Sequence, residues 1–298
     1  QLTTAFYKGA KVVLTNYLTA HDLMESISHH KVTGMTAVPP LWIQLVNLKW
    51  PSHVADHLRY FANTGGKMPF EILQKLRTLF PKAKPYLMYG LTEAFRATYL
   101  APEEVDKRPD SIGKSIPNSE VLVLNEAGRI CVPGEVGELV QRGALVSLGY
   151  WNDPEKTAER FKILPSNIPG RHSGLIFSEM AVFSGDYVKM DNEGFLYFIG
   201  RKDEMIKTSG YRVSPNEIEE IVYSISEVAE CAAFGVEDKQ LGQSIILIIL
   251  LQSENKSTVE QILSQCRKTM PSYMVPSKIV ISTEPLPRNP NGKIDRKR

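Results

Sequence analysis

The sequence predicts an α/β layer, then a β-barrel-like subdomain, then a small C-terminal α+β domain. Three observations carry this reading. From Ala10 to Tyr89, short β-branched runs alternate with helical patterns, as in βα units feeding a mainly parallel sheet. After about Asp110, short apolar runs are punctuated by Asn125-Glu126-Ala127-Gly128, Pro133-Gly134 and Asp191-Asn192-Glu193-Gly194, the turn chemistry of antiparallel strands. Beyond the polar junction Gly200-Arg201-Lys202-Asp203, two helical patterns with capping signals alternate with three apolar strands. The expected division is a large domain over 1–202, made of 1–105 and 106–202, and a small domain over 203–298.

Element by element, strands are expected at Ala10–Leu14, Gly34–Val38, Leu58–Asn63 and Lys84–Tyr89. Between them, Thr19 with Asp22 reads as a capped helix, and Phe70 to Phe80 repeats apolar residues at helical spacing. Asp153 caps a short helix with Pro154 in its first turn, where the missing N–H costs nothing. It should end near Phe161. Glu179 to Phe198 reads as a hairpin. Ser214-Pro215-Asn216-Glu217 is a capping-box pattern, with Ile218, Ile221, Val222 and Ile225 on one face of the helix it opens. Ser257 with Glu260 opens a second helix carrying Ile262, Leu263 and Cys266. Strands at Val228–Val236, Ile245–Leu251 and Lys278–Ser282 complete this part.

Composition narrows the function. A length of 298 residues with 43% hydrophobic side chains is more than one typical domain. A net charge of +2 from 35 basic and 33 acidic residues gives no general field for nucleic acid or anionic membrane, so a small-molecule partner is expected. The apolar run Ile245 to Leu251 is far shorter than the roughly 20 residues of a membrane-spanning helix. Cys131, Cys231 and Cys266 have no paired spacing, which fits a reducing cytoplasm. The opening at Gln1 already alternates like the inside of a domain, so a fragment of a longer chain is expected.

Five strings could carry chemistry. Tyr89-Gly90-Leu91-Thr92-Glu93 follows a predicted strand, where open α/β sheets bind ligands. Its Thr hydroxyl and carboxylate can serve phosphate and Mg²⁺, its Gly admits a close ligand, and its Tyr offers a stacking face. Asn63-Thr64-Gly65-Gly66-Lys67 also ends a strand and can present backbone N–H groups to a purine edge or an anion. Ser184-Gly185-Asp186 and Gly200-Arg201 flank one hairpin, bringing a carboxylate suited to ribose hydroxyls near a guanidinium suited to phosphate. Ile206-Lys207-Thr208-Ser209-Gly210-Tyr211-Arg212 is a glycine-bearing loop before a capped helix, and Pro290-Asn291-Gly292-Lys293 presents one ammonium from a turn. Each string alone is equally an ordinary turn or surface pair. His21, His29 and His30 lack a carboxylate or thiol to complete a metal set.

Taken in order, these strings resemble the adenylate-forming superfamily that includes acyl-CoA synthetases, adenylation domains of nonribosomal peptide synthetases and beetle luciferases. The resemblance runs over nearly the whole chain: the Gly65-Gly66 turn, YGLTE at Tyr89, GELV at Gly137, GYWNDPEKT at Gly149, SGD at Ser184, GRKDEMIKTSGYRVSPNEIE at Gly200, PSYMVP at Pro271 and NPNGKIDRK at Asn289. It implies ATP-dependent activation of a carboxylic acid as an acyl-adenylate, then thioester formation with coenzyme A or another pantetheine thiol. By the same resemblance, Gly65, Gly66, Tyr89 and Gly90 border the adenine, and Thr92 and Glu93 serve the phosphates and Mg²⁺. Asp186 holds the ribose, Phe198 and Arg201 complete the nucleotide site, and Asp203 is the hinge of a mobile small domain. Lys293 meets the substrate carboxylate and α-phosphate, while Lys207 and Gly210 serve the thiol step. The family's Ser/Thr/Gly-rich phosphate loop is not among these residues, so this chain alone is expected to form little adenylate.

The acyl-CoA ligase reading is preferred because SGYRVSP resembles those enzymes. NPNGKIDRK is frequent in amino-acid adenylation domains, so loading of a carrier protein is the alternative. A non-catalytic nucleotide-binding relative is a third reading, against which Lys293, Asp186 and Glu93 all stand intact.

Overall fold

The computed structural model describes residues 2–165, 167–168, 180–252, 259–289 and 294–296. The chain forms two compact units, one of Gln1–Gly90 and Thr98–Gly113, the other of Leu91–Ala97 and Lys114–Arg298.

The first unit contains helices α1 (Leu2–Tyr7) and α2 (Ala20–His29), strand β1 (Gly34–Ala37), helices α3 (Pro39–Leu45) and α4 (Val54–His57), strand β2 (Tyr60–Asn63), helix α5 (Phe70–Leu79) and most of strand β3 (Lys84–Leu91). The predicted capping box forms at α2: Thr19 Oγ1 accepts from the Asp22 amide at 3.2 Å, and Asp22 Oδ2 accepts from the Thr19 amide at 2.9 Å. These bonds to the charged form hold the exposed Asp22 carboxyl below its usual range. The three strands pair in parallel, Thr36 to Ala62 and Ala62 to Tyr86, as the alternating texture requires. Their core is aromatic and aliphatic. Trp42, Leu45, Phe61, Leu73, Leu76 and Phe80 are buried, with the Trp42 and Phe61 rings edge to face at 5.6 Å.

One expected strand does not form. Ala10–Leu14 is irregular and pairs with no strand among the described residues, and Leu14 is 84% exposed. Its first amide closes the end of α1, Ala10 N donating to Ala5 O at 2.8 Å, and a β-branched run without a neighbouring strand has no ladder to join.

Strands β4 (Phe95–Leu100) and β5 (Ser111–Ser115) carry the chain between the units. The second unit continues with β6 (Ser119–Leu124), β7 (Val136–Gly143), helix α6 (Pro154–Arg160), β8 (Phe161–Ile163), β9 (Met180–Met190) and β10 (Leu196–Arg201). These strands are antiparallel in the order β10-β9-β7-β6, with β8 also on β9. Asp153 caps α6 by accepting from the Lys156 amide at 3.0 Å, and Pro154 occupies the first turn as expected.

A second sheet follows, from β11 (Ile206–Thr208), β12 (Tyr211–Val213), helix α7 (Pro215–Tyr223), β13 (Val228–Asp238), β14 (Gly242–Leu251), helix α8 (Val259–Thr269) and β15 (Lys278–Ser282). Its order is β12-β11-β14-β13, with β15 parallel on β14. Alternation along β14 buries Ile245, Leu247 and Ile249 with Ile218 and Val222 of α7 and Ile262 and Cys266 of α8. The expected loop before α7 is instead a tight hairpin: Thr208 pairs with Tyr211 across Ser209 and Gly210, both at positive φ of 49° and 81°. Two left-handed residues make the turn whose twist matches paired strands. Ser214 does cap α7, accepting from the Asn216 amide at 3.2 Å, but the reciprocal Glu217 bond is not formed. Its hydroxyl donates to Ile199 O at 2.6 Å instead, so the cap also fastens the helix to β10. The second expected box, at Ser257, lies outside the described residues.

Leu247→Ala should cost about 2–5 kcal/mol, because it removes a fully buried side chain from the strand between β13 and β15. Val280→Ala, at a site 39% exposed, should shift the denaturant midpoint little. Urea denaturation followed by far-UV circular dichroism compares them, and equal shifts would show that β14 is not the centre of this sheet.

Candidate nucleotide site

The β9–β10 hairpin sets one half of the site. Its register pairs Asp186 directly with Arg201, with a bulge between Phe198 and Gly200. Asp186 is 5% exposed, and Arg201 Nη1 donates to its Oδ1 at 3.0 Å while Nε donates to Asp203 Oδ1 at 3.2 Å. Burial acts to lower the Arg201 pKa, but Asp186 and Asp203 outweigh it, and the guanidinium holds its proton more tightly than usual. The sequence thus supplies, on one guanidinium, both the expected ribose carboxylate and the expected hinge residue. Phe198 lies half-buried on the same strand, opposite Val188.

The residues before Asp186 keep this geometry. Ser184 Oγ donates to Leu139 O at 2.6 Å and accepts from the Asp186 amide at 3.0 Å. Gly185 has φ of 70°, its amide donates to Glu138 Oε1 at 3.0 Å, and a Cβ there would stand 2.2 Å from Arg160 Nη1. Only glycine fits. Glu138 Oε2 also binds Lys202 Nζ at 3.0 Å, tying β7 to the turn after β10. Behind these groups lies a cleft of about 250 Å³ lined by Glu138, Arg160, Lys162, Phe183, Lys202 and Asp203, among others.

Thr92 and Glu93 form the turn after β3, which extends two residues beyond its expected end so that Tyr89 and Gly90 lie within the strand. Thr92 is exposed. The Tyr150 hydroxyl donates to Glu93 Oε1, a partner the sequence did not single out. Burial and then the Glu93 carboxylate push the Tyr150 phenol up to about 12, against an opposing pull from the charges of Arg160 and Arg201. No cluster of three or more His, Cys, Asp or Glu residues suited to a metal exists among the described residues. A lone carboxylate fits Mg²⁺ carried in on a nucleotide, since that ion keeps several waters and takes one or two carboxylates plus phosphate oxygens.

In the first unit, Asn63 spans the Gly65-Gly66 turn, its Nδ2 donating to Gly66 O at 2.7 Å. Pro39 and Val38 pack beneath the two glycines. Gly66, Lys67, Met68, Leu87 and Met88, among others, line a cavity of about 20 Å³, room for one water.

Lys207 is exposed on β11, its amide bound to Gln243 Oε1 at 2.7 Å, and Gly210 is exposed at the hairpin tip. Lys293 lies outside the described residues. Three positions later, Arg296 enters a buried ion cluster that sequence reasoning missed. Its Nη2 donates to both carboxylate oxygens of Glu219 at 2.8 and 2.7 Å, and its Nη1 to Glu204 Oε2 at 2.9 Å. Glu219, 7% exposed, also accepts from the Ala233 amide at 2.8 Å. Burial pushes its carboxyl upward while Arg296 and that amide pull it back.

Asp186 with Arg201 on the β9–β10 hairpin, and Glu93 held by Tyr150, are the polar groups the sequence singled out for a nucleotide. The sequence matches the profile of the AMP-binding enzyme family over residues 1–151 and that of the AMP-binding enzyme C-terminal domain over 217–293. The chain belongs to the AMP-binding enzyme family. It is 31% identical over 291 residues to the long-chain-fatty-acid–CoA ligase of Salmonella typhimurium, covering 97% of this chain and 48% of that one. It is 32% identical over 307 residues to the L-proline–[L-prolyl-carrier protein] ligase of Streptomyces coelicolor, covering 100% and 54%. Among solved structures, o-succinylbenzoate CoA synthetase of Bacillus subtilis in complex with its acyl-adenylate superposes with a TM-score of 0.83 at 26% identity, covering 100% of this chain and 57% of that one. The same synthetase in complex with ATP and magnesium ion also has a TM-score of 0.83 at 26% identity over the same shares of the two chains. The chain spans about half the length of the curated relatives it matches.

Glu219→Ala should destabilise the chain by about 3 kcal/mol or more, because it leaves Arg296 and the Ala233 amide short of a buried partner. Lys82→Ala, which breaks the exposed pair with Asp56, should leave the denaturation midpoint unchanged. Similar midpoints for the two variants would show that the Arg296 cluster is not structural.

Proposed function

We propose that the protein carrying this chain activates a carboxylic acid with Mg-ATP and transfers the acyl group to the thiol of coenzyme A. The observations that carry this reading are the buried Asp186–Arg201 pair and the Tyr150-held Glu93, in a chain of the AMP-binding enzyme family. In the first step a carboxylate oxygen attacks the α-phosphorus, a P–O bond forms and pyrophosphate leaves. In the second the sulfur attacks the acyl carbon, AMP leaves, and the thiol proton passes to solvent.

The assignments follow the chemistry. Asp186 accepts the ribose hydroxyls, Arg201 faces the phosphate side, and Gly65, Gly66, Tyr89 and Gly90 border the adenine while Phe198 completes the nucleotide site. Thr92 binds a phosphate oxygen, and Glu93 holds the divalent cation. When bound, Mg²⁺ screens charge between two anionic reactants. Lys293 meets the carboxylate and α-phosphate, and Lys207 and Gly210 serve the thiol. Residues 1–202 would form the large domain and 203–298 a small one hinged at Asp203. We place the protein in the cytoplasm, in accord with three unpaired cysteines. No helix among the described residues is long and apolar enough to cross a membrane.

The Streptomyces relative favours a second reading, activation of an amino acid for a carrier protein. Pyrophosphate exchange by the full-length protein with matched fatty, aryl and amino acids separates the two. A tenfold preference for an amino acid, about 1.4 kcal/mol in transition-state binding, would overturn the coenzyme A reading. Lys293→Ala should abolish adenylate formation and spare thioester formation from supplied adenylate, and Gly210→Leu should do the reverse. Equal loss of both steps in each variant would refute the division of labour.

Met88 lines the small cavity beside Gly66, where we place the inner end of the acyl pocket, and its adaptable apolar side chain would narrow it. A short or compact acid is therefore proposed, in contrast to the long-chain acids named for several relatives. Met88→Gly should raise kcat/KM for longer acyl chains relative to short ones by about tenfold, at roughly 1–3 kcal/mol of pocket discrimination. An unchanged chain-length profile would remove Met88 from the pocket.

A further inference from the structure

We propose that Tyr150 is the positioning residue for the Glu93 carboxylate, holding Oε1 so that Oε2 is the oxygen offered to the divalent cation of the bound nucleotide. This rests on the assignment of Glu93 to that cation. The two residues are 57 positions apart and are joined by the Tyr150 hydroxyl on Oε1. No hydrogen-bond partner for Oε2 is found among the described residues.

The choice of partner has a physical consequence. Asp186 is neutralised by a guanidinium, which suits a carboxylate that must accept hydroxyl donors in a buried place. A cation on Glu93 would instead compete with the metal. A phenol fixes the carboxylate's rotation without cancelling its charge.

Tyr150 is itself held at several points. Its amide donates to Thr157 Oγ1 at 2.9 Å, and that hydroxyl donates to Asp153 O at 2.7 Å, in the first turn of α6. Its ring meets Phe161 edge to face at 5.6 Å and packs with Ala94 and Val182. Gly149, at φ of 136°, lets the chain pass Thr157, where a Cβ would come within 2.5 Å of the Thr157 methyl. The Glu93 end is anchored too, because its carbonyl accepts from the Ser147 amide at 2.9 Å. Loop 147–150 therefore grips both the backbone and the carboxylate of residue 93. No group of three or more His, Cys, Asp or Glu residues suited to a metal is found among the described residues, so the orientation of the Glu93 carboxylate would weigh heavily in the affinity.

The test uses the full-length protein that carries this chain, with Mn²⁺ as the probe and a non-hydrolysable ATP analogue present. Electron paramagnetic resonance of free Mn²⁺ gives its dissociation constant. Tyr150→Phe should weaken Mn²⁺ about tenfold, at the low end of what outer partners of metal ligands contribute. Adenylate formation should fall and be partly restored by added Mg²⁺, while thioester formation from supplied adenylate stays unchanged. In a Glu93→Gln background, Tyr150→Phe should have no further effect on Mn²⁺. Phe161→Leu, which loosens one of several contacts on the Tyr150 ring but keeps the hydroxyl, should lower the melting temperature and weaken Mn²⁺ much less than Tyr150→Phe. Unchanged Mn²⁺ affinity in folded Tyr150→Phe, additive losses with Glu93→Gln, or an equal loss in Phe161→Leu would each overturn the proposal. A protein that binds Mn²⁺ and nucleotide in this Tyr150-dependent way yet activates no acid would support the positioning role and overturn the proposed reaction.

Discussion

The candidate site depends on the register of β9 against β10. Because side chains alternate along a strand, a slip of one residue would turn Asp186 or Arg201 to the opposite face and leave an unpaired buried carboxylate. Several independent contacts oppose that slip. Ser184 bridges Leu139 and the Asp186 amide, Gly185 donates to Glu138, and the Lys202 amide returns to Gly185 O at 2.8 Å. The bulge at Ile199 then lets Ser214 reach the Ile199 carbonyl without disturbing the Asp186–Arg201 pair. Pairing, turn and following helix are fixed by one short stretch of chain.

Arg201 also joins two roles that the proposed reaction keeps apart. Its guanidinium binds the buried Asp186 and the exposed Asp203, two residues onward. Whatever changes the backbone at Asp203 changes the hydrogen bonding of Arg201, and through it the field around the expected ribose site. The reverse holds by the same contacts.

Much of this was legible in the sequence, and what was not has a common cause. The Thr19 capping box, the Pro154 helix start and the Asp186–Arg201 hairpin were readable because each rests on neighbours in sequence or on one turn, and the parallel strands because their alternation with helical patterns repeats along the chain. Ala10–Leu14 misled because β-branched composition says nothing about whether a partner strand exists. Ser209-Gly210 was read as a loop because only the pairing of Thr208 with Tyr211 makes it a hairpin. Tyr150 with Glu93 and Arg296 with Glu219 span 57 and 77 positions, and no local pattern announces them. For Tyr150 a signal was present, the aromatic residue of Gly149-Tyr150-Trp151 set between a positive-φ glycine and a helix cap, but its partner was not inferable from spacing.

The Arg296 cluster bears on how one chain could run two half-reactions. Joining a carboxylate to a phosphate brings two anions together and requires positive charge between them. Thiol attack on the resulting acyl carbon asks for open access at that same place. Under the proposed function, the groups for the two steps would be carried on a segment that moves as a unit. Glu204 lies one residue beyond the proposed hinge, Glu219 on the first helix after it, and Arg296 three residues past Lys293. Their shared ion cluster closes the start of that segment onto its end. The β11–β12 hairpin with Lys207 and Gly210 lies in the same stretch of chain, above the core of Ile206, Val213 and Ile218. In the proposed two-step reaction, a rotation at residues 202–204 would carry the Lys207 hairpin and Arg296 together, joined through the buried core of Ile206, Val213 and Ile218 and the pairing of Arg296 with Glu219.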